Sequence, residues 1–546
     1  MSNTMPTPDQ FPRPQAMQVA EKVTQALQTH VNNVAPSASN PDSKGSHLAA
    51  LFDQLAGSKQ LAVFKKRTAG KALINWLLLH GKMYLDAAEI SPAGVYWLDE
   101  RHEAKKLRSA TKIEFISLLA GKCGRNQEDP LFKAARDYLF TRALDPESSI
   151  AQRAKIVQFW TTQTIDEETV CYLSRGCSLI KCSAQGVEEV PMGTDGVLMP
   201  EEFCLPEWQL HADPDACASP DELPFIAESG LGKDERIVFS IYLSILPLVY
   251  AGQLPPLSLE GPPASGKTTA LVEAGRLFFG ESFMPTDPMG KDAEQAIPRL
   301  LNQHKMVSYD NMDNQYLVRG FADRLAASTT GAASLEKTHY RNREVTSLPV
   351  NAAQTLSAVN MDFLLQHPTL SSRLLNLCWD KPRESFNRGF VERTRREKRS
   401  SVLSFIAHTV SRILGEFKPD EAVSYRFDHW ARCYYACSRV LGCHEPASSA
   451  LEKVLHRSQE RGISADQYGA MLLEQLQSGA SLAGTAGEIL DVIKHHAAAD
   501  ARISPLEFGR WLSAVGPVAR GLSITSRYDR HKKQNVYCVS RDLESD

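Results

Sequence analysis

Apolar and polar positions change their spacing along this chain, and each change marks a predicted element. Residues 1–59 hold few large apolar side chains and many Pro, Ser, Asn and Gln. One amphipathic stretch, QAMQVAEKVTQALQTHV, lies there between Pro/Ser-rich segments, and the region is expected to be mostly a flexible extension. From residue 60 the pattern tightens. KALINWLLLHG predicts a helix, KMYLDA and GVYWLDE a pair of strands, and KIEFISLLAGKCG, PLFKAARDYLFTRAL and SIAQRAKIVQFWTT three further helices. The stretch TVCYLSRGCSLIKCSAQGVEEVPMGTDGVLMPEE alternates apolar and polar residues with Gly punctuation, which predicts short antiparallel strands. Residues 60–219 thus read as an α+β domain, closed by the Pro/Asp-rich linker PEWQLHADPDACASPDELP.

Residues 220–385 follow another rhythm. IVFSIYLSILPLVYAG predicts a buried helix, too short and too interrupted to span a bilayer. Three separated apolar strands follow: PLSLE, then KMVSYD ending in Asp310, then LPVNAAQTLSAVN ending in Asn360. A fourth, Leu374–Trp379, comes immediately after Arg373. Strand, loop and helix in this order predict a parallel α/β sheet. Residues 386–480 read as a helical lid. They include ESFNRGFVERTRREKRSSVLSFIAHTVSRIL, with a basic run at Arg393–Arg399, and the helix of SYRFDHWARCYYACSRVLG, which begins near Arg426. The basic run reads as a solvated face interleaved with Glu392 and Glu397; a track facing DNA is the alternative. In residues 481–546, TAGE (Thr485–Glu488) and SPLE (Ser504–Glu507) are capping-box patterns that open two helices. Two alternating strands joined by Asp529-Arg530-His531-Lys532-Lys533 follow, so this end predicts a winged helix. Its basic tip suits a phosphate backbone; protein contact alone is the other reading.

Composition changes this picture little. The 546 residues suffice for three or four domains, and a net charge of −3 advertises no nucleic-acid partner globally, so any such surface is local. Eleven scattered cysteines and no signal peptide at the N-terminus read as free thiols in a reducing cytoplasm. Cys433, Cys437, Cys443 and His444 match no compact zinc spacing and read as buried helix residues.

The chemistry concentrates in PLSLEGPPASGKTTAL. Gly261, Gly266, Lys267 and Thr268 complete the phosphate-loop pattern Gly-x4-Gly-Lys-Thr between a strand and a helix. The glycines allow backbone N–H groups to face phosphate oxygens, the lysine supplies a point charge, and the Thr268 hydroxyl suits magnesium. The expected cradle for ATP is Gly261, Pro262, Pro263, Ala264, Ser265, Gly266, Lys267, Thr268 and Thr269, with Mg2+ held by Thr268 and Asp310. Asn360 is expected to orient the attacking water. Asn311 follows Asp310 where many such enzymes place a glutamate. Either Asp310 serves both purposes, or Asp313 or a more distant acid is the base, or hydrolysis is slow; Asn311 is a further candidate to orient water.

With these residues in view, the chain from about residue 60 to its end resembles the ATPase half of phage- and plasmid-type primase-helicases. That group is related to the poxvirus primase-helicase, helicase superfamily 3 and AAA+ motors. The resemblance rests on GPPASGKT, Tyr309-Asp310-Asn311, FADRLAASTTGAASLEKTHYRNREVT, TLSSRLLNL, RFDHWARCYYACSRVLG and the terminal GTAGEILDVI…FGRWLSAVGPVARGLSITSRY. It implies a P-loop NTPase core with an AAA+-like sheet, a lid and a winged helix. It also implies a hexameric ring of identical subunits, with ATP between them and replication proteins as partners. In it Arg373 reaches the γ-phosphate held by a neighbour, and Arg426 is the lid arginine of its own subunit. Residues 1–59 are too short and apolar-poor for the primase domain that members often carry, so primer synthesis is not expected.

The expected function is an ATP-driven DNA motor of a mobile element, phage or plasmid, a helicase or helicase loader with single-stranded or forked DNA as partner, cytoplasmic and without a membrane role. Lys337, Arg341 and Arg343 are candidates to line the ring's pore; an exposed polar hairpin is the equal alternative. A non-translocating AAA+ switch that regulates assembly is the runner-up. A metabolic kinase explains neither the Arg before the last strand nor the winged tail.

Overall fold

The computed structural model describes residues 43–541 except 88–91, 101–105, 250–252, 287–292, 313–319, 331–333, 338–344, 349, 351, 366–367, 381–386, 424, 466, 477–480, 497–503, 516–521 and 532. The chain divides into two units, Met1–Leu79 with Ala110–Ile150, and His80–Ser109 with Ala151–Asp546.

The first unit is helical: α1 (Ser43–Gly57), α2 (Ala62–His80), α3 (Ile113–Lys122) and α4 (Pro130–Leu144). Leu48 and Phe52 of α1 are buried, so part of the region expected to be flexible is a packed helix. Asp129 caps α4 by accepting from the Leu131 and Phe132 amides, with Pro130 at the first helical position.

The second unit opens with a sheet of order β3-β2-β1-β4, made of β1 (Gly81–Asp86), β2 (Val95–Asp99), β3 (Lys106–Ser109) and β4 (Ala151–Ala154). The expected β1–β2 pair is antiparallel. The helix expected over SIAQRAKIVQFWTT does not form. Residues 151–154 instead pair in parallel with β1, Met83 opposite Ala151, and Ile156 bridges Leu198. An available strand edge outweighs the strong intrinsic helical preference of AQRAK. The strand β5 (Trp160–Ile165) also begins inside the segment expected to be helical, and it joins β6 (Glu168–Arg175), β7 (Ser178–Ser183) and β8 (Gly186–Pro191), the strands expected from the alternating stretch, in an antiparallel meander.

Next come α5 (Pro224–Ala227), α6 (Lys233–Ile245), β9 (Leu257–Glu260), α7 (Lys267–Phe279), α8 (Ala293–Gln303), β10 (Met306–Tyr309) and α9 (Gly320–Ser328). The hairpin β11 (Ser334–Lys337) and β12 (Val345–Leu348) leads to β13 (Ala353–Ala358), α10 (Asp362–Leu365), α11 (Pro368–Ser371) and β14 (Leu375–Cys378). The central sheet is entirely parallel in the order β10-β13-β9-β14. Every residue of its four strands except Cys378 is buried, polar ones included, as in parallel sheets covered on both faces. Each strand therefore opens its carboxyl end toward the same crevice, and β9 lies where the order reverses.

The remaining helices are α12 (Arg388–Glu416), α13 (Asp428–Val440), α14 (His444–Ala465) and α15 (Gln467–Leu476). At 29 residues α12 runs about 44 Å. It packs on β6, β7 and β8 of the meander as well as on α7 and α13. One core cluster accordingly joins Trp160 and Ile180 to Leu259, Phe278, Ile406 and Trp430. The boundaries expected at 219 and 385 therefore cross a shared core rather than separate independent ones. The chain ends in β15 (Leu482–Thr485), α16 (Ala486–His496), α17 (Pro505–Val515), β16 (Leu522–Asp529) and β17 (Gln534–Arg541). The three strands form an antiparallel sheet of order β15-β17-β16.

Candidate nucleotide site

The Gly261–Thr268 loop leaves the end of β9 with its backbone wound back on itself. Ala264 and Gly266 adopt positive φ, 61° and 96°, and Gly266 stands immediately before α7. A Cβ on Gly261 would lie 2.1 Å from the Trp379 carbonyl oxygen, so no side chain fits there. Pro263, Ala264 and Thr268 face solvent, while Ser265 and Lys267 are buried. The Lys267 ammonium, on a residue only 7% exposed, donates to the carbonyls of Gly261 (2.8 Å) and Pro262 (2.7 Å) and to Ser265 Oγ (3.1 Å). These bonds close the loop across its own mouth.

Thr268 Oγ1 donates to Asp310 Oδ1 at 2.8 Å, bringing together residues 42 apart in sequence. The Ser357 hydroxyl, from the neighbouring strand β13, donates to the same oxygen. Beyond Asp310 the chain turns sharply: Asn311 has φ 55° and the Met312 amide bonds the Ser357 carbonyl. A hydroxyl and a carboxylate, both hard oxygen donors, suit a magnesium ion that keeps most of its water. The amide-rich start of α7 and the lysine suit phosphate oxygens. The donor set fits both groups.

Asn360 is exposed just beyond β13. Its Nδ2 donates to Asp362 Oδ2 (3.0 Å) and its Oδ1 accepts from the Asp362 amide (2.6 Å), so the amide is held at the start of α10. Arg373 is placed otherwise than a side chain reaching outward. It is 6% exposed, and its Nη1 donates to the Ala326 carbonyl and to Thr329 Oγ1 (2.9 Å), at the C-terminal end of α9. Burial first, and then the charge of Arg426, hold its pKa below the usual arginine value. Exposed Arg426 thus lies toward Arg373. Asp313 lies outside the described residues, as does most of the Leu335–Arg343 segment.

Two residues escaped the sequence reading. Glu260, the last residue of β9, is 5% exposed; it accepts from the Met361 amide (3.1 Å), from Asn376 Nδ2 (2.6 Å) and from Arg461 Nη1. Arg461 Nη2 donates to Asp362 Oδ1 at 2.8 Å. Arg461 of α14 thus meets the strand ends beside the loop. Only its place in an i, i+4 series with Lys453 and Arg457 hinted at an ordered face.

Two arginines of the basic run are consumed by the core. Arg395, 1% exposed, bonds Glu273 (2.9 Å) and Glu281 (2.8 Å), while Arg399 donates to the carbonyls of Pro206, Glu207, Leu277 and Phe278. Arg396 and Lys398 pair with Glu281 and Glu222. The expected solvated face is thus divided: Arg393, Arg396 and Glu397 are exposed, while Arg395 and Arg399 form a seam binding α12 to α7. Cys433 and Cys437 are buried free thiols, and burial pushes the Cys433 thiol up to about 12. No group of metal-ligating side chains occurs among the described residues. No helix among them is long and apolar enough to cross a membrane.

At the chain's end Thr485 and Glu488 close a reciprocal capping box. The turn between β16 and β17 exposes Arg530, His531 and Lys533.

No protein-family model matches the chain, and no curated protein matches it. Solved structures are loosely similar. The NrS-1 C-terminal region is 7% identical at a TM-score of 0.36, with 86% of this chain and 98% of that one covered. The SCCmec type IV Cch, described as an active helicase, is 9% identical at 0.43, with 84% and 92% covered. A JCV helicase is 16% identical at 0.23, with 44% and 64% covered. At such scores the overlap carries no functional inference.

Proposed function

We propose that the chain hydrolyses ATP with Mg2+ at the Gly261–Thr268 loop and uses the turnover to move along DNA, as a helicase of a mobile element. The observation that carries this is the meeting of Thr268 and Asp310 at the carboxyl ends of parallel strands, beside a loop closed by Lys267. Thr268 and Asp310 would hold the magnesium, which supplies charge neutralisation between the phosphates. Lys267 exchanges its bonds to Gly261 and Pro262 for phosphate oxygens, and the first amides of α7 face the same group. Asn360 keeps one amide proton and one lone pair free of the bonds to Asp362, which suits orienting a water.

The ring is part of the proposal. Arg373 has no carboxylate partner among the described residues and feels the charge of Arg426, and a phosphate from a neighbouring copy would supply the missing anion. The exposed basic turn of the terminal ribbon suits the DNA backbone. A non-translocating switch remains the second reading. It is favoured by Asn311 standing beside Asp310 and by Arg373 facing its own α9.

ATP turnover is to be measured with and without single-stranded and forked DNA, alongside molecular mass in a slowly hydrolysed analogue. DNA-stimulated turnover and a hexamer are expected. Turnover indifferent to DNA refutes the motor and favours the switch, while a monomer in the analogue removes the neighbour's arginine. No turnover under any condition refutes the enzyme.

A further inference from the structure

Asp362 has two carboxylate oxygens with different partners. Oδ2 accepts from the Asn360 amide at 3.0 Å, and Oδ1 accepts from Arg461 at 2.8 Å. The other arm of the Arg461 fork lies on Glu260, immediately before the Gly261 loop. Glu260 is anchored in turn: Asn376 donates to it, and Ser258 of β9 donates to Asn376 Oδ1 at 2.7 Å. One planar guanidinium therefore spans the two strand ends, β9 and β13, that flank the crevice. Lysine could not do this, having a point charge in place of a fork.

We propose that Arg461 is a positioning residue for nucleotide hydrolysis, setting the Asn360 amide relative to the Gly261–Thr268 loop by way of Asp362. The inference rests on the function proposed above and deepens it. Three features give it content. Glu260 is buried, so its charge fixes the near arm of the fork firmly. Asp362 is held at Oδ1, which turns Oδ2 toward Asn360. Helix α14 is also held independently of Arg461: Arg457 pairs with Glu235, Lys453 pairs with Asp234 at 3.2 Å, and Gly462 abuts the Leu365 carbonyl and Ser371. Loss of the fork should then loosen the Nδ2 end of Asn360, leaving the Asp362 amide as its remaining tether, without detaching the helix. The same arrangement makes α14 the element through which movement of the helical layer would reach the water-orienting amide.

The test uses the full chain in five forms: wild type, Arg461→Gln, Arg461→Lys, Asn360→Ala and the Arg461→Gln/Asn360→Ala double variant. Arg457→Gln serves as a structural comparison on the same helix. Nucleotide affinity is read by equilibrium binding, and kcat by steady-state turnover. For Arg461→Gln, kcat is expected to fall about 10–100-fold, the cost of misplacing a reacting partner by about an ångström. Affinity is expected to change less than about 3-fold, and adding Arg461→Gln to Asn360→Ala to cost less than about 2-fold more, because coupled residues fail to add. Arg461→Lys should not restore kcat, whereas Arg457→Gln should lower the melting temperature and leave kcat unchanged. Additive losses, or equal kcat losses from Arg457→Gln and Arg461→Gln, overturn the coupling while leaving the proposed function intact. A wild-type chain that binds nucleotide but never turns it over refutes the function and this inference with it.

Discussion

Replacing Lys267 by Ala tests the nucleotide site in two separable ways. In the nucleotide-free chain the Lys267 ammonium makes three hydrogen bonds inside the loop, two of them to backbone carbonyls. Bonds to a charged donor contribute roughly 1.5–3 kcal/mol each when buried. The carbonyls of half-buried Gly261 and Pro262 can rehydrate once the side chain is gone. A net loss of about 2 kcal/mol is therefore expected even without ligand. Ligand adds a second, independent term. At a nucleotide concentration one hundred times its Kd, binding to the folded state alone stabilises wild type by about 2.7 kcal/mol. Without the lysine the phosphates lose their point charge, so that gain should nearly vanish at the same concentration. The gap between the two proteins should widen from about 2 kcal/mol to about 5 kcal/mol on adding Mg2+ and a slowly hydrolysed ATP analogue. Thermal unfolding of both proteins with and without ligand measures each term, with far-ultraviolet circular dichroism confirming that the variant folds. Equal ligand-induced shifts in the two proteins would refute the site. Equal melting temperatures without ligand would refute only the self-closing role of the lysine.

Two further predictions concern the fold that presents this site. Arg395→Met leaves Glu273, itself 1% exposed, with Arg276 as its remaining cation, and should cost about 3 kcal/mol. Urea unfolding would measure this, and a loss below about 1 kcal/mol would show that the seam between α12 and α7 contributes little. Lys305, at the start of β10, has its pKa lowered from 10.5 to about 8, by burial first and then by the charge of Lys155. Between pH 8 and 10.5 the unfolded chain holds a proton that the folded chain has released, so wild-type stability should rise with pH across that window. Lys305→Met should be the more stable protein below pH 8, by about 1–2 kcal/mol after allowing for solvent contact, and the advantage should fade toward pH 10.5. Denaturation at a series of pH values checks it, and a constant difference would count against a titrating Lys305.

The parts legible in the sequence are those whose signal is local. PLSLE and its loop carry their strand, turn and helix start within sixteen residues, and the Thr485–Glu488 box states its own geometry in four. The alternation of TVCYLSRGC and SLIKCS needs nothing beyond period two to read as a hairpin. Elements that exist only through a distant partner left no such trace. β15 is four residues, LAGT, with weak strand preference, and it forms because β17 offers an edge opposite it. β4 depends in the same way on β1, and α1 on a hydrophobic contact surface that the surrounding Pro/Ser-rich composition hides.

The arginines show the same divide at the level of chemistry. Sequence position placed Arg373 before a strand and Arg426 before a helix, and both look equally available there. What separates them from Arg461 and Arg395 is the location of carboxylates more than one hundred residues away: Glu260 lies 201 positions from Arg461, and Glu273 lies 122 from Arg395. An arginine that meets a buried carboxylate is fixed as structure or as a positioning group, because moving it would strand a charge in a dry environment. Arg373 is not fixed in that sense: its partners are a carbonyl and a hydroxyl, neither of which carries a charge. Neutral partners are the ones a phosphate can outcompete, since a charge-assisted bond is roughly twice as strong as a neutral one. The inward placement of Arg373 is therefore compatible with release toward an anion, whereas that of Arg395 is not. Buried Arg399 also lacks a carboxylate partner, but four carbonyls hold it, whereas Arg373 has one carbonyl, one hydroxyl and an unbonded Nε, so Arg373 has fewer bonds to exchange for the proposed triphosphate.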